Sequence, residues 1–215
     1  MTSEVSARLS LTFSCIGHAC SHLFAPIFDV AALSLEKDLA MTHGAVITLI
    51  LVGSVLFGLA APLAGWLSDK WSAIALMVVF FIGSGGAMVM VGFASTPFWI
   101  AFWLAITGLF GAIYHPVGIS WLVRNAANRG TALGINGMFG AFGPGIAAVA
   151  AGVLIEAFDW RIAFIVPGIV VMGFGVLFLF LVQKRLIVER ATDRNHTEPQ
   201  SRRDTVRAFM VMGVT

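Results

Sequence analysis

The chain has 215 residues, 59% of them hydrophobic and only 11% charged, with a formal charge of +2 and a mean hydropathy of +0.93. Soluble domains run at about half apolar and about a quarter charged, so a water-soluble globular domain is excluded. No basic-aromatic platform for nucleic acid is present, and no alternating short strands of a membrane barrel. The composition describes an all-α integral membrane protein.

Six apolar blocks reach the roughly 20 residues that a bilayer crossing needs. They are Leu9–Leu33, Ala45–Leu67, Ser72–Ala94, Phe98–Val123, Thr131–Ile155 and Ile162–Val182. The first is too long, and too interrupted by His18 and His22, for a signal peptide, so it reads as a retained span. Cys15 and Cys20 lie inside it; they offer no disulfide framework and no zinc spacing, and read as inert buried thiols. At about 100° per residue, His18, His22 and Asp29 share one narrow arc, with Ser14 and Cys15 at its edges. Ionisable residues inside a membrane usually face a bundle interior or a water-filled cavity. A plainer reading is that they hydrogen-bond to neighbouring helices, that Pro26 turns Asp29 out of line, and that Asp29 lies at the interface.

The second block closes on "GWLSDKWS", Gly65 to Ser72, which sets Asp69 and Lys70 in a short polar turn. The fourth block carries "YHP". Gly108, Gly111 and Gly118 fall within about 60° of His115, on a face almost free of side chains. Pro116 has no N–H, which leaves the carbonyl of Ala112 without its helical partner and favours a kink. The fifth block is rich in small residues, Gly134, Gly137, Gly140, Gly143 and Gly145 with Pro144, suited to close helix packing.

With six crossings both ends lie on one side. Eleven of the 13 Lys and Arg fall there and only Lys37 and Arg161 on the other, a positive-inside bias that predicts cytoplasmic termini. After the sixth block, Lys184–Arg207 is polar and of mixed charge and reads as a cytoplasmic linker. The last eight residues, 208–215, turn apolar again and read as the start of a truncated seventh span.

The Gly65-x-Leu67-x-Asp69-Lys70 turn resembles the loop signature of the major facilitator superfamily, although Ser72, Ala73 and Ile74 replace the Gly and basic residues that follow in the family. The resemblance implies that Asp69 latches one conformation by engaging a basic residue, here Arg124 or Arg129. "RNAANRGTALGINGMFGAFGPGIAAVAAG", Arg124 to Gly152, is similar to the family's fourth-to-fifth connection and fifth span. Gly143-Pro144 matches the antiporter signature; Phe139, Ala147 and Ala148 depart from it. "FDWRIAF" resembles the start of the sixth span, and Leu104 stands where many proton-coupled members carry arginine. Within the superfamily, Tyr-His-Pro looks most like the fosmidomycin-resistance-type exporters.

The resemblance implies residues 9–183 as the N-terminal six-span half of a twelve-helix fold, with the C-terminal half missing from this chain. It further implies alternating-access transport of a small solute, with proton-coupled drug or metabolite export as one form, in the inner (plasma) membrane. The family's first and fourth spans line the path, which carries His18, His22 and His115, with Pro116, to it. Cofactors, resident metals and nucleic-acid partners are not expected; a small-molecule substrate and the lipid bilayer are. The alternative is a six-span metal-ion carrier or channel using the intramembrane histidines, though no carboxylate or thiolate obviously completes the ligand set. A Ser120–His115 catalytic pair fits poorly, because no histidine lies on the sixth span.

Overall fold

The structure is a computed structural model and describes residues 2–188. The linker beyond Val188 and the apolar segment 208–215 lie outside the described residues. In chain order the helices are α1 (Thr2–Ser21), α2 (Phe24–Leu39), α3 (His43–Ile47), α4 (Leu51–Leu59), α5 (Ala61–Lys70), α6 (Ala73–Phe93), α7 (Pro97–Gly111), α8 (Tyr114–Asn125), α9 (Arg129–Ala157) and α10 (Trp160–Gln183), with a 3-10 turn at Thr48–Ile50. Five helical segments are long and apolar enough to cross a membrane. The number is six when His43–Leu59 and Ala61–Lys70, bent by 40°, form one crossing. The all-α six-helix bundle expected from the sequence is therefore present.

Polar residues at the edges of the apolar blocks start the helices. Thr42, Ser72, Thr96, Asn128 and Asp159 each accept a hydrogen bond from a backbone N–H of the first turn, which satisfies donors the helix leaves unpaired.

Three of the six blocks are not straight, and proline chemistry accounts for each. Between α1 and α2 the N–H groups of His22 and Leu23 reach back only three residues, to the carbonyls of Ala19 and Cys20. Pro26 offers no N–H to the carbonyl of His22, so the ladder is already interrupted there. Between α7 and α8 the N–H of Ile113 likewise bonds Phe110, one turn ahead of Pro116 and at the place the sequence predicts. The second block bends at Ala60, where Pro62 has no N–H to offer the carbonyl of Gly58 as its regular helical donor. Pro144 and Pro167 sit inside α9 and α10 without ending them.

Glycines set the closest crossings. α6 lies along α10, and a Cβ on Gly85 or on Gly168 would stand 2.7 Å from the other's carbonyl oxygen. α4 crosses α7 at Gly53 and Gly108, where a Cβ on Gly53 would stand 2.5 Å from the carbonyl of Leu104. Such approaches exploit the missing side chain where lipid supplies no hydrophobic drive for helix association.

Two apolar clusters form the interior. One joins Phe24, Ile27, Phe28 and Leu35 of α2 to Val91, Ile100, Leu104, Trp160 and Phe164. The other joins Phe13 of α1 to Met77, Phe80, Phe81, Tyr114, Trp121 and Phe178. The stretch of α1 between Phe13 and the break falls between them. At the second cluster's end the N–H of Val188 donates to Ser6 Oγ at 3.1 Å, so residues 6 and 188 lie at the same end of the bundle.

Candidate functional site: a histidine cluster between α1 and α8

The break after α1 and the break before α8 bring three histidine side chains together. His18 and His22 lie one turn apart on α1 and its frayed end, and His115 is the second residue of α8. The ring centroids stand 5.4 Å (His18–His22), 5.3 Å (His18–His115) and 5.1 Å (His22–His115) apart. One ring nitrogen from each residue lies within 4.8 Å of the others. All three side chains are half-buried. Phe57 of α4 closes one side, its centroid 6.1 Å from His22 and 5.6 Å from His115.

His18 is the fixed member. Its Nδ1 stands 2.9 Å from both the backbone oxygen and Oδ1 of Asn136. Both atoms accept, so Nδ1 carries the hydrogen and the neutral ring keeps its lone pair on Nε2. The Asn136 amide then donates through Nδ2 to the Tyr114 hydroxyl at 2.7 Å, and that hydroxyl donates to the Ser14 carbonyl at 2.7 Å. Ser14 Oγ donates to the Gly118 carbonyl at 3.3 Å. This chain of donors assigns the Asn136 amide and the His18 tautomer together. Tyr114 also stacks on His18 with centroids 5.2 Å apart and planes at 27°.

The Gly-Pro region of α9 seats that ring. A Cβ on Gly140 would stand 2.8 Å from His18 Cδ2 and closer still to Cε1 and Nε2; similar approach to three ring atoms marks the ring face, not its edge. A Cβ on Gly143 would stand 2.9 Å from Ala19 Cα, so α9 rests directly on α1. Pro144 leaves the carbonyl of Gly140 without its helical partner. Gly134, Gly137 and Gly145 do not share this role, for nothing lies within 4 Å of where their Cβ atoms would be. The glycine face around His115 is filled, not open: Gly118 receives the Tyr114 ring, Gly111 the Phe57 ring and Gly108 the backbone of Gly53.

Asp29 does not join the histidines. It lies beyond the break, on α2, and is exposed; the tightened turn at His22–Leu23 shifts its phase from the arc a straight helix would give. Pro116 sits beside the cluster and faces Gly65, whose Cβ would meet Pro116 Cβ at 3.4 Å. Leu67 packs against the second apolar cluster. Asp69 and Lys70 are exposed at the end of α5, with Lys70 Nζ 4.2 Å over the Trp66 ring. Arg124 donates to Ser120 Oγ at 3.4 Å, and Arg129, the first residue of α9, is exposed. Among the described residues no ion pair joins Asp69 to either arginine.

Sequence reasoning missed Asn136, which is only 2% exposed and carries the central amide of the network. The signal was available: Asn136, Gly140 and Gly143 fall within about 60° on one face of a helix. Phe57 was missed as well, since nothing marks one phenylalanine among 18.

A family model described as Major Facilitator Superfamily matches residues 14–213. The puromycin resistance protein pur8 of Streptomyces alboniger is 28% identical over 138 residues, 63% of this chain and 27% of that protein. The probable sulfoacetate transporter SauU of Cupriavidus necator is 27% identical over 188 residues, 80% of this chain and 42% of that protein. Among solved structures, a bacterial homolog of the human lysosomal transporter Spinster, inward-facing and unoccupied, superposes with a TM-score of 0.74 at 15% identity, over 98% of this chain and 50% of its own. The chain thus spans half or less of the length of each of these proteins. With the family model matching nearly its whole length, the chain belongs to the major facilitator superfamily of multi-pass membrane proteins.

Proposed function

We propose that this six-helix unit is one half of an alternating-access transporter for a small organic solute, and that His18, His22 and His115 border the path. The observation that carries the reading is the polar layer itself. Three imidazoles, a buried amide and a tyrosine hydroxyl from the first, fourth and fifth spans meet between two apolar clusters, where an isolated polar group would be costly without a purpose. The outward face of α9, with Met138, Phe142, Ile146, Val149 and Val153 exposed, is a surface a second six-helix half would cover. The basic residues cluster at the end shared by residues 6 and 188, which supports cytoplasmic placement of that end in a plasma or inner membrane. Drug or metabolite export, coupled to protons and of the fosmidomycin-resistance kind, is the finer form of the reading. It draws on the Tyr114-His115-Pro116 motif and on the similarity to a puromycin resistance protein; a relative named as a probable sulfoacetate transporter widens the solute range to small anions.

Site-directed thiol labelling tests the path without knowledge of the solute. In a full-length transporter containing this half, with Cys15 and Cys20 replaced by serine, His115→Cys is exposed to a membrane-impermeant maleimide from each side in turn. Labelling from both sides is expected, because alternating access opens one site to two compartments. Labelling from neither side would place His115 in sealed packing and overturn the reading.

A further inference from the structure

We propose that His18, His22 and His115 form a binding site for a single divalent late transition ion of the zinc class, with the fourth coordination position left open. Three observations converge on it. First, one ligand nitrogen from each histidine already lies within 4.8 Å of the others, from two different helices. Tetrahedral bonds of 2.0–2.1 Å place nitrogens about 3.3 Å apart, so the set closes by side-chain rotation of an ångström or so. Second, His18 has the support that metal-bound imidazoles carry. Its Nδ1–H donates to Asn136, which fixes the ring and leaves Nε2 as the donor atom. Third, His22 sits at the helix break, where the i-to-i+3 bonding of its own N–H to Ala19 leaves the turn adjustable.

The donor set selects the ion. Imidazole nitrogens suit zinc, copper, nickel and cobalt, whereas magnesium and calcium demand oxygen ligands. Neither cysteine belongs to the cluster, so a thiolate site is not the reading. Three neutral ligands leave the ion its full double charge, and in this apolar setting the open position takes water, hydroxide or an anionic group from outside. A bound ion would also bridge the first span to the fourth and hold them at one separation. That consequence for transport rests on the path proposed above; ion binding does not.

Zinc titration of the purified 215-residue chain in detergent, carrying no polyhistidine tag, tests the proposal. One zinc per chain is expected, and cobalt(II) should give the intense visible bands of four-coordinate geometry. His22→Gln and His115→Gln should each weaken binding at least tenfold, while His43→Gln, outside the cluster, should leave it unchanged. X-ray absorption of the zinc-loaded wild-type chain keeps the test independent of how the variants fold: a first shell of nitrogen at 2.0–2.1 Å is expected. Absence of stoichiometric binding, a sulfur shell, or equal affinity in the His22→Gln chain would overturn the site. Any of these would leave the thiol-labelling test of the path to stand or fall by itself.

Discussion

Replacing Gly140 with alanine tests whether α9 is seated on the His18 ring. The new Cβ would stand 2.8 Å from Cδ2 and nearer to Cε1 and Nε2, while ordinary contact begins at 3.4 Å. The gap must open by at least the 0.6 Å between those two values. The ring cannot retreat freely, because Tyr114 stacks on it and Nδ1 is bonded to Asn136. Either α9 lifts from α1 and drags Gly143 off Ala19, or the ring swings and its N–H loses a buried acceptor. Overpacking of this kind costs about 1–3 kcal/mol, and an unmade buried hydrogen bond costs a similar amount. Taking about 2 kcal/mol, the melting temperature of a domain this size should fall by roughly 4–8 °C. Gly137→Ala is the control, one turn earlier on the same helix, with nothing within 4 Å of its Cβ position. It should stay within about 2 °C of wild type. The measurement is thermal unfolding of the detergent-purified chain by circular dichroism. If Gly140→Ala and Gly137→Ala melted together at the wild-type temperature, α9 would not rest on that ring.

Three further outcomes follow from other parts of the bundle. Trp160, 1% exposed, donates its indole N–H to Asp38 at 2.8 Å. Asp38→Ala should therefore lose about 1–3 kcal/mol in the same melting assay, while Asp38→Asn, which keeps an acceptor oxygen, should lose less; equal losses would point instead to the ion pair that Asp38 also makes with Arg161 Nη1 at 3.5 Å. In a full-length transporter, Asp69→Asn should lower the rate for all substrates alike, because Asp69 lies at the end of α5 and away from the histidines; a changed substrate range would refute its conformational role. Reporter fusions at Lys70 should read as cytoplasmic and fusions at Ala94 as external, and a reversed pattern would invert the orientation assigned from the basic residues.

The six-block reading followed directly from hydropathy, and the edges of five blocks lie within three residues of a helix terminus, whereas the first, Leu9–Leu33, stops short of Thr2 and Leu39 because polar residues extend the helices at both ends. The polar caps Ser72, Thr96 and Asn128 explain that agreement, since they mark both the end of the apolar run and the start of the helix. The kink at His115-Pro116 was legible for the same reason: proline acts locally, and its effect on the carbonyl four residues earlier needs no tertiary information. Asp29 was harder: Pro26 signals that the helical arc is broken, but the phase beyond the break depends on a geometry that a straight-helix count does not supply. The glycines were legible as small residues but not by role. Gly140 faces a ring and Gly137 faces nothing, and that distinction belongs to the neighbouring helix. Asn136 was obscured by its setting, a buried amide in a stretch that reads as packing glycines.

The interrupted ladders also bear on stiffness. A helix bends most readily where a carbonyl lacks its partner, and the carbonyls released by Pro26, Pro116 and Pro144 belong to His22, Ala112 and Gly140. All three lie at or beside the histidine layer, and the bend at Ala60 is one turn from Phe57, which touches the same rings. The unit is thus a pair of firm apolar blocks joined at a soft waist. Any rocking of one block on the other is concentrated at that waist, where the separations among three imidazole rings register the motion more sensitively than any distance within either block.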